Sequence, residues 1–140
     1  MSIETAFYSY MTSEVSITSL VGTRIYPLLA PDTPTYPLIV YTVFAEGHDH
    51  DMGGATGLAD LTMQVDVWAR GITTRRSITE ALRNALDGFK GDMGVELLNI
   101  RKCFLEDRTH FFEKDNEGGG TFYRTSMDFS IWHVESLPTL

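Results

Sequence analysis

The sequence predicts a small α+β fold: an antiparallel or mixed four-stranded sheet with two helices packed on one face, in the order α-β-β-α-β-β, with long loops in both hairpins. Three observations carry that expectation. Ala59 to Ala69 and Tyr123 to Trp132 alternate apolar and polar residues with period two, as strands do when one face is buried and the other is not. Ile78 to Phe89 repeats its apolar residues at helical spacing. Between an N-terminal helical stripe and the first strand lies a stretch holding Pro27, Pro31, Pro34 and Pro37, which neither a helix nor a central strand tolerates.

Taken in chain order, Ile3, Ala6, Phe7, Tyr10 and Met11 form one apolar stripe. A second short piece gathers Ile17, Leu20 and Val21 and stops at Gly22, a residue that accepts a left-handed backbone. The proline-rich stretch GTRIYPLLAPDTPTYPLIVY reads as an extended crossing segment. Leu38 to Phe44, β-branched or aromatic almost throughout, reads as a strand. Glu46 to Gly57 (EGHDHDMGGATG) is rich in glycine and ionisable side chains, and a mobile loop is expected.

In the next strand Leu61, Met63, Val65 and Val67 point one way, and Asp60, Thr62, Gln64, Asp66 and Trp68 the other. The following helix puts Ile78, Ala81, Leu82, Ala85, Leu86 and Phe89 on one face, with Thr73 or Thr74 as N-cap and Gly88 at its end. GDMG at Gly91 to Gly94 is a turn signal. Val95 to Leu105 gives a strand phased on Leu98, Ile100, Lys102 and Phe104, followed by a second loop, Glu106 to Gly120. In the closing strand Tyr123, Thr125, Met127, Phe129 and Ile131 alternate with Arg124, Ser126, Asp128, Ser130 and Trp132.

A chain of 140 residues is the size of one domain, 1–140, and buries about two thirds of the surface its unfolded form exposes. Its hydrophobic share of 43% matches a globular protein, and its charged share of 21% is too low for a disordered chain. No apolar run approaches the roughly 20 residues of a membrane span, and the opening MSIETAFYSY lacks the pattern of a signal peptide, so synthesis in the cytoplasm and no membrane partner are expected. The single cysteine, Cys103, sits among apolar neighbours and reads as a core residue. A formal charge of -8 argues against a duplex-binding surface, because phosphate affinity needs clustered Lys and Arg.

Residue patterns that carry chemistry are few. His48, Asp49, His50 and Asp51 are ligand types for zinc or manganese, and with Asp66 they would suit a small metal-dependent enzyme with a concave pocket. Adjacent residues in a glycine-rich loop lack the scaffold to aim at one ion, so the polar-loop reading prevails. Asp66 and Asp128 share the polar faces of two strands, yet no nucleophile motif or phosphate cradle accompanies them. Neither catalytic residues, a metal nor a cofactor is expected.

Arg70, Arg75 and Arg76 precede a helix whose N-terminal dipole disfavours cations, which points to a partner acid or phosphate against the alternative of a solvated cluster. Trp68 and Trp132 fall on polar strand faces, where large aromatics anchor protein interfaces, although a loop could equally cover Trp68. The loop acids Glu113, Asp115 and Glu117 join the HDHD residues as interface candidates. A single-strand nucleic-acid module stacking bases on Tyr41, Trp68 or Trp132 would need a basic groove that the charge disfavours.

Three segments in order carry a family resemblance: LVGTRIYP at Leu20 to Pro27 with YPLIVYTVF at Tyr36 to Phe44, LTMQVDVWAR at Leu61 to Arg70 with ALRNALDGFKG after it, and TSMDFSIWH at Thr125 to His133. Together they resemble the phage tail completion family, whose members act as tail terminators. The resemblance implies a fold like that of the phage lambda tail terminator, a sheet backed by helices. It implies a homo-oligomeric ring, six-fold to match the tail tube, that caps the tube and meets the head connector or head-closure protein, with DNA only as cargo in the lumen. It offers no catalytic residues, and it extends to prophages and gene transfer agents. Another head-tail neck protein is the alternative within the same structural class.

Overall fold

The computed structural model describes residues 3–32, 34–51, 54–95, 97–114 and 120–134. Two N-terminal helices, α1 (Ile3–Ser13) and α2 (Val15–Val21), are followed by strands β1 (Ile25–Pro27), β2 (Leu38–Asp51) and β3 (Gly54–Ala69). Helix α3 (Ile72–Leu86) then leads to β4 (Gly91–Met93), β5 (Leu98–Lys114) and β6 (Thr121–Val134). The strands form one six-stranded mixed sheet in the order β1-β2-β3-β6-β5-β4, with β1 parallel to β2 and every other pair antiparallel.

The α+β class and the placing of the helices stand, but among the described residues there are three helices and six strands where two and four were expected. The additional helix is the break in the N-terminal stripe at Glu14, counted as a separate element. The two additional strands have three residues each, too few for any period to show. Ile25–Pro27 runs beside Ile39–Tyr41, and Gly91–Met93 beside Leu98–Ile100. Pro27 is tolerated because β1 is an edge strand and ends there.

The expected loops are the larger correction. Glu46–Asp51 continues β2 and Gly54–Gly57 begins β3, in a ladder that includes Gly47↔Asp60, His48↔Ala59 and Asp51↔Gly54. Glu106–Lys114 likewise continues β5, paired with the first half of β6 from Thr121↔Lys114 onward. Each segment carries its backbone hydrogen bonds to a long partner, and that ladder holds polar sequence extended where composition alone suggests a loop. Bulges between Val43 and Ala45 and between His48 and His50 absorb the irregularity in β2.

Two bulges also re-phase β5. They fall between Ile100 and Lys102 and between Leu105 and Asp107. As a result Cys103 and Leu105 join the apolar face opposite Ile131 and Phe129, while Lys102 and Phe104 turn outward opposite Trp132 and Ser130. The unbroken alternation expected for this strand therefore fails after Ile100.

One apolar core lies between the sheet and the helices. Met63, Val65 and Val67 of β3 and Met127, Phe129 and Ile131 of β6 form its floor. Phe7 and Met11 of α1, Ile17 of α2, and Ile78, Leu82 and Leu86 of α3 cover it. Tyr41 is only 4% exposed and packs its ring 5.6 Å from Phe7, so it belongs to the core and offers no stacking surface.

Helix α3 starts after Gly71, with no side-chain cap; Thr73 and Thr74 lie inside its first turn and do not cap it. At its end Gly88 takes φ +85° and donates its N–H to the Cys103 carbonyl at 2.7 Å, tying the helix exit to β5. Tyr10 donates its hydroxyl hydrogen to the Ala85 carbonyl at 2.7 Å and sets its ring 4.8 Å from Phe89, joining α1 to α3. After β4, Gly94 passes so close to α1 that a Cβ there would sit 2.7 Å from the Ala6 carbonyl oxygen.

Candidate assembly surfaces

With the helices on one face, the opposite face of the sheet is left for other contacts. At the end where β3 stops and β6 begins, it carries two layers of aromatic rings and guanidinium groups. Arg124 lies between Trp68 and Phe111, its neighbours on β3 and β5, with its Cζ 5.2 and 4.7 Å from their ring centroids. Its Nη2 stands 3.6 Å from Asp66 Oδ2. Arg70 lies 4.1 Å over Phe122 and 5.1 Å over Tyr36. A cation over a ring contributes about 0.5–1 kcal/mol at an exposed site and about 2 when water is excluded.

The proline-rich segment closes over this end. Leu28, Leu29, Ala30 and Tyr36 lean toward Val40, Asp66, Trp68 and Arg124 around a groove of about 310 Å³. Leu29 is 81% exposed at its mouth. Asp66 Oδ1 and Arg124 Nε are both buried, and neither makes a hydrogen bond among the described residues. Trp68 is thus half-buried, on the outer face as its phasing predicts and beside a covering segment as well.

Further along the same face the side chains are polar. Gln64 Nε2 donates to Ser126 Oγ at 2.8 Å. Asp128 stands opposite Asp107 on β5, and its carboxyl pKa is raised from its ordinary value, first by partial burial and then by Asp107, Asp66 and Glu106. Asp66 has Arg124 as its partner, so the two aspartates named from the sequence sit in different settings on neighbouring strands.

Asp128 makes the stability of the fold depend on pH. The folded chain takes up a proton there at a pH where the unfolded chain, near the ordinary value of 3.8, does not. The charged carboxylate therefore weakens the fold at neutral pH, and falling pH relieves the penalty through the raised folded-state value. Asp128→Asn should raise the melting temperature at pH 7, and the gain should shrink as the pH approaches 4, read by thermal unfolding across that range.

The arginines expected to cluster before α3 divide between the two faces. Arg70 joins the outer aromatic layer. Arg75 and Arg76 lie beside Arg108 of β5, which pairs with Glu80 at 2.9 Å, and His110, whose Nδ1 sits 2.9 Å from Thr125 Oγ1. Burial first, then Arg75, Arg108 and Arg76, lowers the pKa of His110 below its ordinary value of 6.5. The sheet thus has a basic patch where β5 passes α3.

Trp132 is half-buried at the other end of the β3–β6 ladder, between Asp60 and Lys102, and does not approach Trp68. His48, Asp49, His50 and Asp51 lie in the strand backbone of β2. Glu113 is exposed on β5 opposite Phe122, and Asp115 and Glu117 lie outside the described residues. Among the described residues no group of three or more His, Cys, Asp or Glu is placed to hold a metal ion, and no helix is long and apolar enough to cross a membrane. The Cys103 thiol is buried, its pKa pushed up to about 12 by burial and then by Asp87, which makes it a poor nucleophile.

Sequence reasoning missed Leu28, Leu29, Tyr36, Phe122 and Arg108 as members of these surfaces, and it placed Arg124 only on a polar strand face. The exposed Leu-Leu pair between prolines was the one local signal available; the other contacts depend on strand register.

Comparison with known proteins gives the class first: this is a structural protein of phage tails and of virion assembly, and its place is the tail of the virion. The family model for Tail completion protein gp17 matches residues 5–134, and the chain belongs to that family. A chain in the structure described as "Virion of native gene transfer agent (GTA) particle" has a similar fold, with a TM-score of 0.66 and 19% sequence identity over 96% of this chain and 95% of that one. No curated protein matches.

Proposed function

We propose that the chain is a tail terminator: copies of it form a ring, six-fold like the tube, that caps the grown tail tube and joins it to the head connector or head-closure protein. The family match over 5–134, which takes in nearly every described element, is the observation that carries this reading. Its role is structural, with no catalytic step, and DNA passes through the lumen as cargo.

Ring contacts are heterologous, so one face of a subunit must complement a different face of the next. The aromatic–arginine end of the sheet suits a protein partner, because Trp, Tyr and Arg contribute most to interface energies. The groove beside Leu29 and the basic patch around Arg75, Arg76 and Arg108 give further contact chemistry on separate faces.

Electron microscopy of particles made without this protein tests the proposal. The expected result is tail tubes of uncontrolled length and heads left unjoined. Tails of normal length joined to heads would reject it, and tubes of correct length with unjoined heads would move the chain to another neck position.

A further inference from the structure

The sheet has two long edges that its own short strands leave open. On one side β1 covers only Ile39–Tyr41 of β2, so Thr42–Asp51 has no strand beyond it among the described residues. On the other side β4 covers Leu98–Ile100 of β5, and the turn after α3 takes the next groups: Gly88 N–H donates to the Cys103 carbonyl at 2.7 Å and Leu105 N–H donates to Asp87 Oδ1 at 2.9 Å, which leaves Glu106–Lys114 with no strand beyond it among the described residues. Strand edges of this length present unpaired N–H and C=O groups and invite another chain unless they are blocked. These edges also carry exposed apolar rings: Phe44 is 73% and Phe112 is 77% exposed.

The two edges are complementary in outline. Strands β2 and β5 run in opposite directions within the sheet, and each is covered at its beginning, so the covered parts lie at opposite ends. When the open part of β5 is laid against the open part of β2 in another copy turned the same way, the two strands are antiparallel. With a shift along the strands, β4 of the first copy lies past the end of β2, and β1 of the second lies past the end of β5. No strand has to be displaced.

The edges are also complementary in charge. From Leu38 to Ala69 the chain holds Glu46, Asp49, Asp51, Asp60 and Asp66 and no Lys or Arg. Along β5 stand Arg101 and Lys102, just before its open part, and Arg108 and Lys114 within it, with Arg75 and Arg76 of α3 next to Arg108 and His110. Glu106, Asp107 and Glu113 of β5, with Glu80 of α3, which pairs with Arg108, offset four of these six positive charges and leave an excess of two. An acidic edge and a basic edge on one molecule favour head-to-tail contact between copies over contact between like edges.

We infer that the open edge of β5 in one copy pairs with the open edge of β2 in the next, so that the sheet continues from subunit to subunit. The inference rests on the ring reading above and names the surfaces that build the ring. It also accounts for the length of both hairpins, whose outer halves add edge and leave the core unchanged.

Charge exchange tests it. One variant, Glu46→Lys with Asp49→Lys and Asp51→Lys, reverses the β2 edge; another, Arg76→Glu with Lys102→Glu and Lys114→Glu, reverses the β5 edge. Each is supplied in place of the wild-type protein, and the readouts are the yield of joined particles and self-association of the purified chain by native mass spectrometry. Either variant alone should lower both by about tenfold or more, since every contact then brings like charges together. The two variants mixed, or both sets of changes in one chain, should restore both, because every contact again joins opposite charges. Rescue also excludes misfolding as the cause of the single defects.

Wild-type behaviour from either single variant, or no rescue in the mixture and in the combined chain, would overturn the inference. The particles lacking the protein keep the two readings apart. Uncontrolled tubes there, with charge exchange having no effect, remove the edge contact alone; normal tails there remove the terminator role whatever the exchanges do.

Discussion

Replacing Phe129 by alanine should lower the unfolding free energy by about 3–5 kcal/mol, a large share of the total stability of a domain this size. Phe129 is fully buried on β6, a central strand of the sheet, with Met63 of β3 on one side and Leu105 of β5 on the other. Helices lie over the same core, so the space left by the ring cannot be filled without moving several elements together. Chemical denaturation should show the loss as a lower midpoint with a similar slope. Phe112→Ala supplies the contrast. That ring is exposed on the open end of β5, and its removal should change stability by no more than about 0.5 kcal/mol.

Arg124→Ala should cost about 2 kcal/mol, although Arg124 lies on the face away from the core. The guanidinium is shared by two rings and a carboxylate, and both charged partners are mostly shielded from water. Its loss leaves Asp66 partly buried without its cation and opens space between Trp68 and Phe111. Arg124→Lys keeps the charge but loses the flat group that lies against both rings, and should recover only part of the loss. In a double-mutant cycle with Asp66→Asn, the coupling should be about 1 kcal/mol. A coupling near zero would mean that the rings alone hold Arg124 in place.

The elements legible in the sequence were those whose own side chains keep a period. Ile78, Leu82 and Leu86 mark α3, and the alternations of β3 and β6 fix which residues face the core, because both strands are central and their registers run unbroken against each other. Where a neighbour decides the conformation, local pattern fails. Glu46–Asp51 and Glu106–Lys114 are extended because long partners pair with them, and nothing in EGHDHD or EDRTHFFEK reports that ladder. The bulge after Ile100 reverses which residues of β5 face inward, and no period survives an inserted residue.

The assembly surfaces follow the same division. Trp68, Arg70, Arg75 and Arg76 could be named from composition and position, but their grouping could not. Arg70 and Arg75 are near in sequence and lie on different faces, whereas Arg124 meets Trp68 only through the register of β3 with β6. Family membership was legible because it draws on the ordered combination of several weak segments across the chain.

Cryo-electron microscopy of the intact particle, focused on the junction of head and tail, bears most directly on the terminator role. The expected map has one closed ring of this chain between the last layer of the tail tube and the head connector. Copies found along the length of the tube, or at its far tip, would contradict it.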